Sequence, residues 1–357
     1  MSTAANSKPV KKMTAAVLYG REDVKIEQVP IPEVGPGEVL VRVEVALTDG
    51  TDLKVFERGY HARMIVPPAL FGHELAGTIV SVGAGVKHFR AGMRVVALNS
   101  APCGNCYFCQ HRQENLCEDL IFNNGAYAEF IRIPARIVEK NMLELPEATS
   151  FEAAAMTEPL ACVVRGLEET GAKPGDIVAV IGAGPIGLSF IQVANISGCH
   201  VIAVVKHDEQ SAAATRFGAH QVVKLKDGHD IVEEVRRLTP QGRGPDVVIE
   251  AVGRPQAWHM AVDVVRKGGV VNFFGGPPSG TKVELDTNRL HYSEITLKAS
   301  FHHTPQAVRT AFALICEGKV RPGDYICGHA RLADLQEVFR SMLNRTREIK
   351  TAIIPGN

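Results

Sequence analysis

No stretch of this sequence stays apolar long enough to span a bilayer, so no helical membrane anchor is expected. Its first residues, Met1 to Lys12, are polar and lack the apolar run of a secretory signal, and a cytoplasmic location is expected. Net charge is missing as well. The 39 Lys and Arg balance 39 Asp and Glu, which leaves no broad field to draw the chain to nucleic acid or to an anionic membrane. A small, locally recognised ligand is the partner that remains. Neither an internal repeat nor a low-complexity linker is present. Eight cysteines are few for a disulfide scaffold of 357 residues, and four of them fall between positions 103 and 117, a crowding that suggests metal rather than bridges.

What is there reads as a folded chain with a large core: 45% hydrophobic and 22% charged residues are values of soluble globular proteins. The length favours two domains over one. From Pro36 to Tyr127 the segments GEVLVRVEVAL, AGTIVSVGAGV and GMRVVAL lie between Gly and Pro turns, as in a compact antiparallel β domain. After Ser150 the texture changes. Phe151 to Thr170 is Ala-rich and helical, and short apolar strands then alternate with helices, the pattern of βαβ units. The expected strands are Ile177 to Ile181, Val201 to Val205, Gln221 to Leu225, Asp246 to Val252, Gly269 to Phe274 and Glu294 to Ala299. Six such strands match a doubly wound α/β sheet of two mononucleotide-binding halves. A helix over Thr304 to Gly318 and a strand over Ile349 to Ile354 follow, and this tail is expected to return to the first domain.

Directly after the first of these strands comes Gly182-Ala183-Gly184-Pro185-Ile186-Gly187, opening an apolar helix. Glycines there let N–H groups at a helix N-terminus approach a pyrophosphate without a Cβ in the way. Gly182 makes the turn, Gly184 admits the phosphate and Gly187 allows the helix to pack closely on the strand. A lone GxGxxG is weak, but strand, motif and helix in order within an alternating region point to a dinucleotide. The acid that would bind the ribose of NAD is absent from the end of the second strand, where Val205, Lys206 and His207 stand. Lys206 can pair with a 2′-phosphate, so NADP is favoured over NAD; alternatively Lys206 is a solvated charge and Asp208 takes the ribose hydroxyls.

Cys103, Cys106, Cys109 and Cys117 form CxxCxxCx7C, a spacing that encloses a tetrahedral, structural Zn²⁺. Cys162, Cys199 and Cys316 stand singly in apolar runs, as buried free cysteines do. A second group is Asp49-Gly50-Thr51-Asp52, Gly72-His73-Glu74 and Glu158 in TEPLAC. Taken singly each has a plain explanation: a helix cap, a satisfied histidine, a first-turn charge.

In combination, GEVLVRV, DGTD, GHE, the four-cysteine loop, TEPLA and GAGPIG follow one another in an order that resembles the zinc-containing medium-chain dehydrogenase/reductase family of alcohol, polyol and sugar dehydrogenases, over nearly the whole chain. The resemblance implies a GroES-like β domain joined to a Rossmann domain, with residues 1–160 catalytic, 161–300 cofactor-binding and 301–357 completing the first domain. It implies that His73 and Glu158 ligate a catalytic zinc together with the residue at 49. Glu74 is then a nearby or exchangeable carboxylate, Thr51 the hydroxyl at the substrate oxygen, and Asp52 the acceptor that orients His73. Strand ends near Val252 and Phe274 face the cofactor in this reading, and Lys350 reaches its pyrophosphate. Two departures stand out. Asp49 occupies the place where the family usually has Cys, which makes the site harder and weaker for zinc, and Lys54 occupies the place of a proton-relaying His.

Zinc with an open position and a nearby hydroxyl suit hydride removal from an alcohol. Glu as the third ligand resembles the polyol and sugar branch, so a secondary alcohol of a polyol, sugar or cyclitol is the expected substrate. Family members are dimers or tetramers, and an oligomer is expected here. Two rivals remain: a zinc-independent NADP reductase of the same superfamily, and a noncatalytic nucleotide-binding protein.

Overall fold

The computed structural model describes residues 11–61, 63–226, 228–344 and 349–356. The polar stretch 1–10 read above lies outside them. The chain divides into two compact units, Met1–Glu158 with Arg321–Asn357, and Pro159–Val320. Residues 301–320 thus group with the second unit. No helix among the described residues is long and apolar enough to cross a membrane.

The first unit is built on antiparallel strands. Val39–Leu47 alternates as its sequence demands, with Val39, Val41, Val43 and Val45 buried and Arg42 turned outward to pair with Glu44 at 2.7 Å. It pairs antiparallel with Leu75–Val82, with Phe130–Ile133 and, from the far end of the chain, with Lys350–Ile354. That last strand also runs parallel to Ile326–Arg331. Pairing of Ala352 with Leu47 brings position 350 beside Thr48, a juxtaposition on which the site depends. A short helix, Gly50–Arg58, follows the central strand and ends at Gly59 in the left-handed conformation. Its Phe56 stacks on Phe339 at 5.3 Å between ring centroids, and Phe339 meets Phe71 and Tyr127 in turn. These four rings hold the helix carrying Asp52 against the segment carrying His73.

The second unit is a six-stranded, fully parallel sheet in the order Gln221–Lys224, His200–Val205, Ile177–Ile181, Val247–Glu250, Val270–Phe273 and Thr296–Ala299. This 3-2-1-4-5-6 order is the doubly wound arrangement of dinucleotide-binding sheets. Strand ends are tighter than the apolar runs suggest, for identifiable reasons. Asp246 stays outside its strand because its carboxylate accepts from the Ile177 N–H at 2.8 Å and from Arg266 Nε at 2.6 Å. Val252 is likewise excluded, because Glu250 Oε1 takes the N–H groups of Val252 and Gly253, each at 2.8 Å, and turns the chain. The helix expected over Phe151 to Thr170 is two helices, Phe151–Ala155 and Thr157–Glu168, with the Thr157 hydroxyl donating to the Ala154 carbonyl at the break. Of the three cysteines in apolar runs, Cys199 is buried and Cys162 half-buried, but Cys316, expected to be buried, is exposed on the last turn of Pro305–Cys316.

Candidate active site and metal centres

Asp49 is the N-cap of helix Gly50–Arg58: its Oδ2 accepts the Thr51 N–H at 2.8 Å. The capping explanation and the ligand expectation therefore fall on one residue, because a carboxylate has a second oxygen to offer. Burial works against its charge, yet Lys350, His73 and the Thr51 N–H and hydroxyl together hold its pKa below the ordinary aspartate value.

One turn further on, Asp52 is buried and accepts twice. His73 Nδ1 lies 2.7 Å from its Oδ1, and the Tyr127 hydroxyl lies 2.7 Å from its Oδ2. An ionised carboxylate can only accept, so Nδ1 of His73 carries a proton and Nε2 is the nitrogen that could serve a metal once its own proton is lost. Nε2 faces Glu158, whose Oε2 is 4.0 Å away, too far for a hydrogen bond. Two donors on a tetrahedral Zn²⁺ at about 2.0–2.2 Å stand about 3.4 Å apart, which is near the separation of this pair. Ligand atoms of Asp49, His73 and Glu74 lie within 4.8 Å of one another. Burial opposes a charge on His73, but Asp52 first, then Glu158 and Asp49, outweigh it and raise its pKa well above the ordinary value. Burial pushes the Glu158 carboxyl up to about 7. Four buried carboxylates around one imidazole form a pocket whose charge calls for a cation.

The backbone makes this approach possible at Gly72, where φ is +89° and a Cβ would stand 2.5 Å from the Tyr127 ring. Without that glycine, Tyr127 could not lie under the His73 segment and reach Asp52. Tyr127 was not foreseen, because nothing local in GAYAEF marks a tyrosine whose partner is 75 positions away.

Lys350, expected at the cofactor's pyrophosphate, is buried in the first unit, with Nζ 2.7 Å from each oxygen of Glu74 and 2.9 Å from the Thr48 carbonyl. All three of its protons are thereby committed. Burial disfavours its charge, but Glu74 and Asp49 more than compensate and raise its pKa. Burial also pushes the Glu74 carboxyl well up, opposed by Lys350, and both of its oxygens sit at ion-pair distance from Nζ. A lysine at the head of the apolar strand KTAII was the available signal that it had a buried partner. Lys54 is exposed on helix Gly50–Arg58.

The four loop cysteines are free thiols whose sulfurs lie within 4.8 Å of one another. The separations Cys103–Cys109, Cys106–Cys109 and Cys106–Cys117 are 3.9, 3.5 and 3.8 Å. A tetrahedron of sulfurs at about 2.3 Å from Zn²⁺ has edges of about 3.8 Å. The N–H groups of Cys103 and Gly104 point at Cys117 and Cys109 sulfurs, an arrangement suited to thiolates. The residues fit a closed structural site.

In the second unit, Gly182 adopts φ +99° and a Cβ there would meet Val252 Cγ2 at 2.7 Å, while a Cβ on Gly187 would stand 2.0 Å from the Gly182 carbonyl. A Cβ on Gly184, by contrast, would meet nothing within 4 Å. Gly184 caps helix Pro185–Ile196 without any side-chain cap, so the N–H groups of Ile186 and Gly187 open onto that free space. The cradle fits a dinucleotide pyrophosphate. Gly182 N–H bonds the Val204 carbonyl at 2.9 Å, which ties this turn to the end of strand His200–Val205, just before Lys206 and His207. Val205 is buried; Lys206 and His207 are exposed. Asp208 pairs with Lys224 at 2.5 Å. Val252 is 42% exposed beside the turn, whereas the Phe274 ring packs edge-on against Phe190 at 4.9 Å.

A parallel sheet with a glycine cradle, joined to a β unit bearing two donor sets suited to zinc, defines the class of NAD(P)-dependent oxidoreductases. Comparison with known proteins agrees. A family model described as an alcohol dehydrogenase GroES-like domain matches residues 35–147, and one described as a zinc-binding dehydrogenase matches residues 185–317. The chain belongs to the zinc-containing medium-chain dehydrogenase/reductase family. Sorbitol dehydrogenase of Bacillus subtilis is 31% identical over 300 residues, 82% of this chain and 83% of that protein. L-threonine 3-dehydrogenase of Pyrococcus abyssi is 35% identical over 291 residues, 80% of each. A solved structure of a protein described as a zinc-binding dehydrogenase from Sinorhizobium meliloti, bound to NADP, is 29% identical with a TM-score of 0.87, over 97% of this chain and 100% of that one. The chain is an NAD(P)-dependent alcohol oxidoreductase.

Proposed function

We propose that this enzyme interconverts a secondary alcohol of a polyol, sugar or cyclitol with the corresponding ketone, using NADP in preference to NAD and a catalytic zinc held by Asp49, His73 and Glu158. The observation that carries the proposal is His73, whose Nδ1 is fixed at 2.7 Å by Asp52 and whose Nε2 is turned toward Glu158. In this reading residues 1–160 bear the metals and 161–300 the cofactor, the protein is a cytoplasmic homodimer or homotetramer, and Glu74 stays near the metal ligands.

Zinc bound there supplies Lewis acidity that makes a substrate hydroxyl easier to deprotonate, and the nicotinamide accepts the hydride. The protein's own residues do the rest. The Thr51 hydroxyl, engaged with Asp49, would accept the substrate proton at its Oγ while releasing its own, which leaves to solvent. Asp52 and Tyr127 keep the imidazole of His73 in one tautomer and one plane. Lys350 holds Glu74 in place and balances part of the carboxylate charge. Oxidation removes one proton and one hydride from the alcohol and leaves a ketone, so the balance closes with NADP⁺ as acceptor.

The exposed Lys206 beside the glycine turn, with Asp208 already paired to Lys224, supports the NADP preference. The polyol reading draws on the likeness to sorbitol dehydrogenase and on Glu158 as a carboxylate donor; threonine is the substrate named for the other relative. NADP-linked turnover on a panel of polyols, sugars, cyclitols and L-threonine tests this, with a polyol or sugar expected to give the highest kcat/KM. A second reading, a zinc-independent reductase, has one observation in its favour: Asp49 already serves as a helix cap. One zinc per chain instead of two would favour it.

A further inference from the structure

At the opposite end of the parallel sheet from the glycine turn lies a cavity of about 490 Å³ lined by Arg236, Gly242, Arg243, Asp246, Arg266, Lys267 and Arg289. Its position follows from the strand directions. Gly182 follows the last residue of Ile177–Ile181, whereas Asp246 precedes Val247–Glu250 and Lys267 lies three residues before Val270–Phe273, all parallel strands. Strands of four or five residues at about 3.3 Å each put about 15 Å of sheet between the two places. A dinucleotide seated at Gly184 does not fill this cavity.

The lining carries five cationic side chains and one carboxylate, in a chain whose total charge is zero. Asp246 is already spent, bonded to Arg266 and to the Ile177 N–H. Asp263 lies 3.8 Å from Arg289 Nε, and counting it too leaves the cations in excess. Part of the arrangement is structural. Arg289 donates to the carbonyls of Val262, Asp263 and Val265 at the end of helix Pro255–Val264, and Arg236 Nη2 donates to the Asp263 carbonyl at 2.8 Å. Carbonyls carry only partial charge, so these contacts fix the guanidinium groups without neutralising them. Arg236 bears the strain directly. Burial and then the neighbouring Arg289 disfavour its charge, opposed by Asp263 and Asp230, and its buried Nε–H finds no acceptor among the described residues.

We propose that this cavity is a second anion site, separate from the cofactor turn, that binds a small phosphate-bearing molecule. Arg266 donates to Asp246 and to the Lys267 carbonyl, and Arg243 to the Pro240 carbonyl and Gln241 Oε1, so the phosphate oxygens would be met by the remaining guanidinium N–H groups together with Lys267. The volume lies within the range of small-molecule sites. Free inorganic phosphate and a phosphorylated sugar share the chemistry required. The proposal does not depend on which alcohol the enzyme oxidises.

The test is calorimetric titration of the zinc-loaded enzyme saturated with NADPH, so that the dinucleotide site is closed, using inorganic phosphate in one arm and fructose 1,6-bisphosphate in the other. Saturable binding at least tenfold tighter than that of sulfate at equal ionic strength is expected in one arm or both, and the tighter arm identifies the source. The exposed pair Arg243→Gln and Lys267→Gln should weaken it fivefold or more with turnover unchanged. Should the pair fail to fold, Lys267→Gln alone, set against Lys282→Gln outside the cavity, gives the same comparison. No saturable heat in either arm, binding no tighter than sulfate, or loss of less than fivefold in the cavity variant overturns the proposal.

Discussion

The Tyr127 hydroxyl lies 2.7 Å from the oxygen of Asp52 that His73 does not use, so one carboxylate is held from both sides. This places the orientation of His73 under the control of a residue far away in sequence. Tyr127→Phe should lower affinity for the catalytic zinc about tenfold, and Asp52→Asn by about 10–100-fold, as supporting partners of metal ligands commonly do. Chelator competition reads both. Equal zinc affinity in all three proteins would separate Asp52 from the metal.

Zinc affinity should depend on pH with a definite sign. Glu158, pushed up to about 7 by burial, and His73, raised chiefly by Asp52, must both lose their protons to bind a metal. Affinity therefore falls as pH drops. The fall should be evident through about 7, where Glu158 takes up its proton, with protonation of His73 adding to it. A flat profile between pH 6 and 8 would contradict this.

Lys350→Ala should destabilise the fold by about 3–5 kcal/mol, because it leaves Glu74 buried and unpaired. Replacing both partners, Lys350→Met with Glu74→Leu, should recover much of that loss by removing the stranded charge as well. Denaturant unfolding measures each. A single variant as stable as the parent would mean that the 2.7 Å contacts are not an ion pair.

Lys206→Glu should move the ratio of kcat/KM for NADP over NAD at least tenfold toward NAD, by exchanging attraction for repulsion of a 2′-phosphate. An unchanged ratio would remove Lys206 from cofactor choice.

Sequence made the sheet legible because each strand of the second unit is a continuous apolar run closed by polar or glycine residues, as at Ile177–Ile181. Strand ends were not, because they are decided by side-chain acceptors such as Asp246 and Glu250 that take backbone N–H groups. The four cysteines could be read from their spacing, since the geometry is local. Tyr127 and the contact of Lys350 with Glu74 could not, because each is made only when strands distant in sequence are laid side by side. The contact of Lys350 with Glu74 arises only when Lys350–Ile354 is paired with Val39–Leu47.

The most direct measurement is zinc per chain, taken on the same sample as NADP-linked turnover, for the parent and for His73→Ala. The parent should hold two zinc ions and be active; the variant should keep the one enclosed by Cys103, Cys106, Cys109 and Cys117 and lose turnover. An active parent with a single zinc, or a His73→Ala protein that retains both zincs and its activity, would contradict the account.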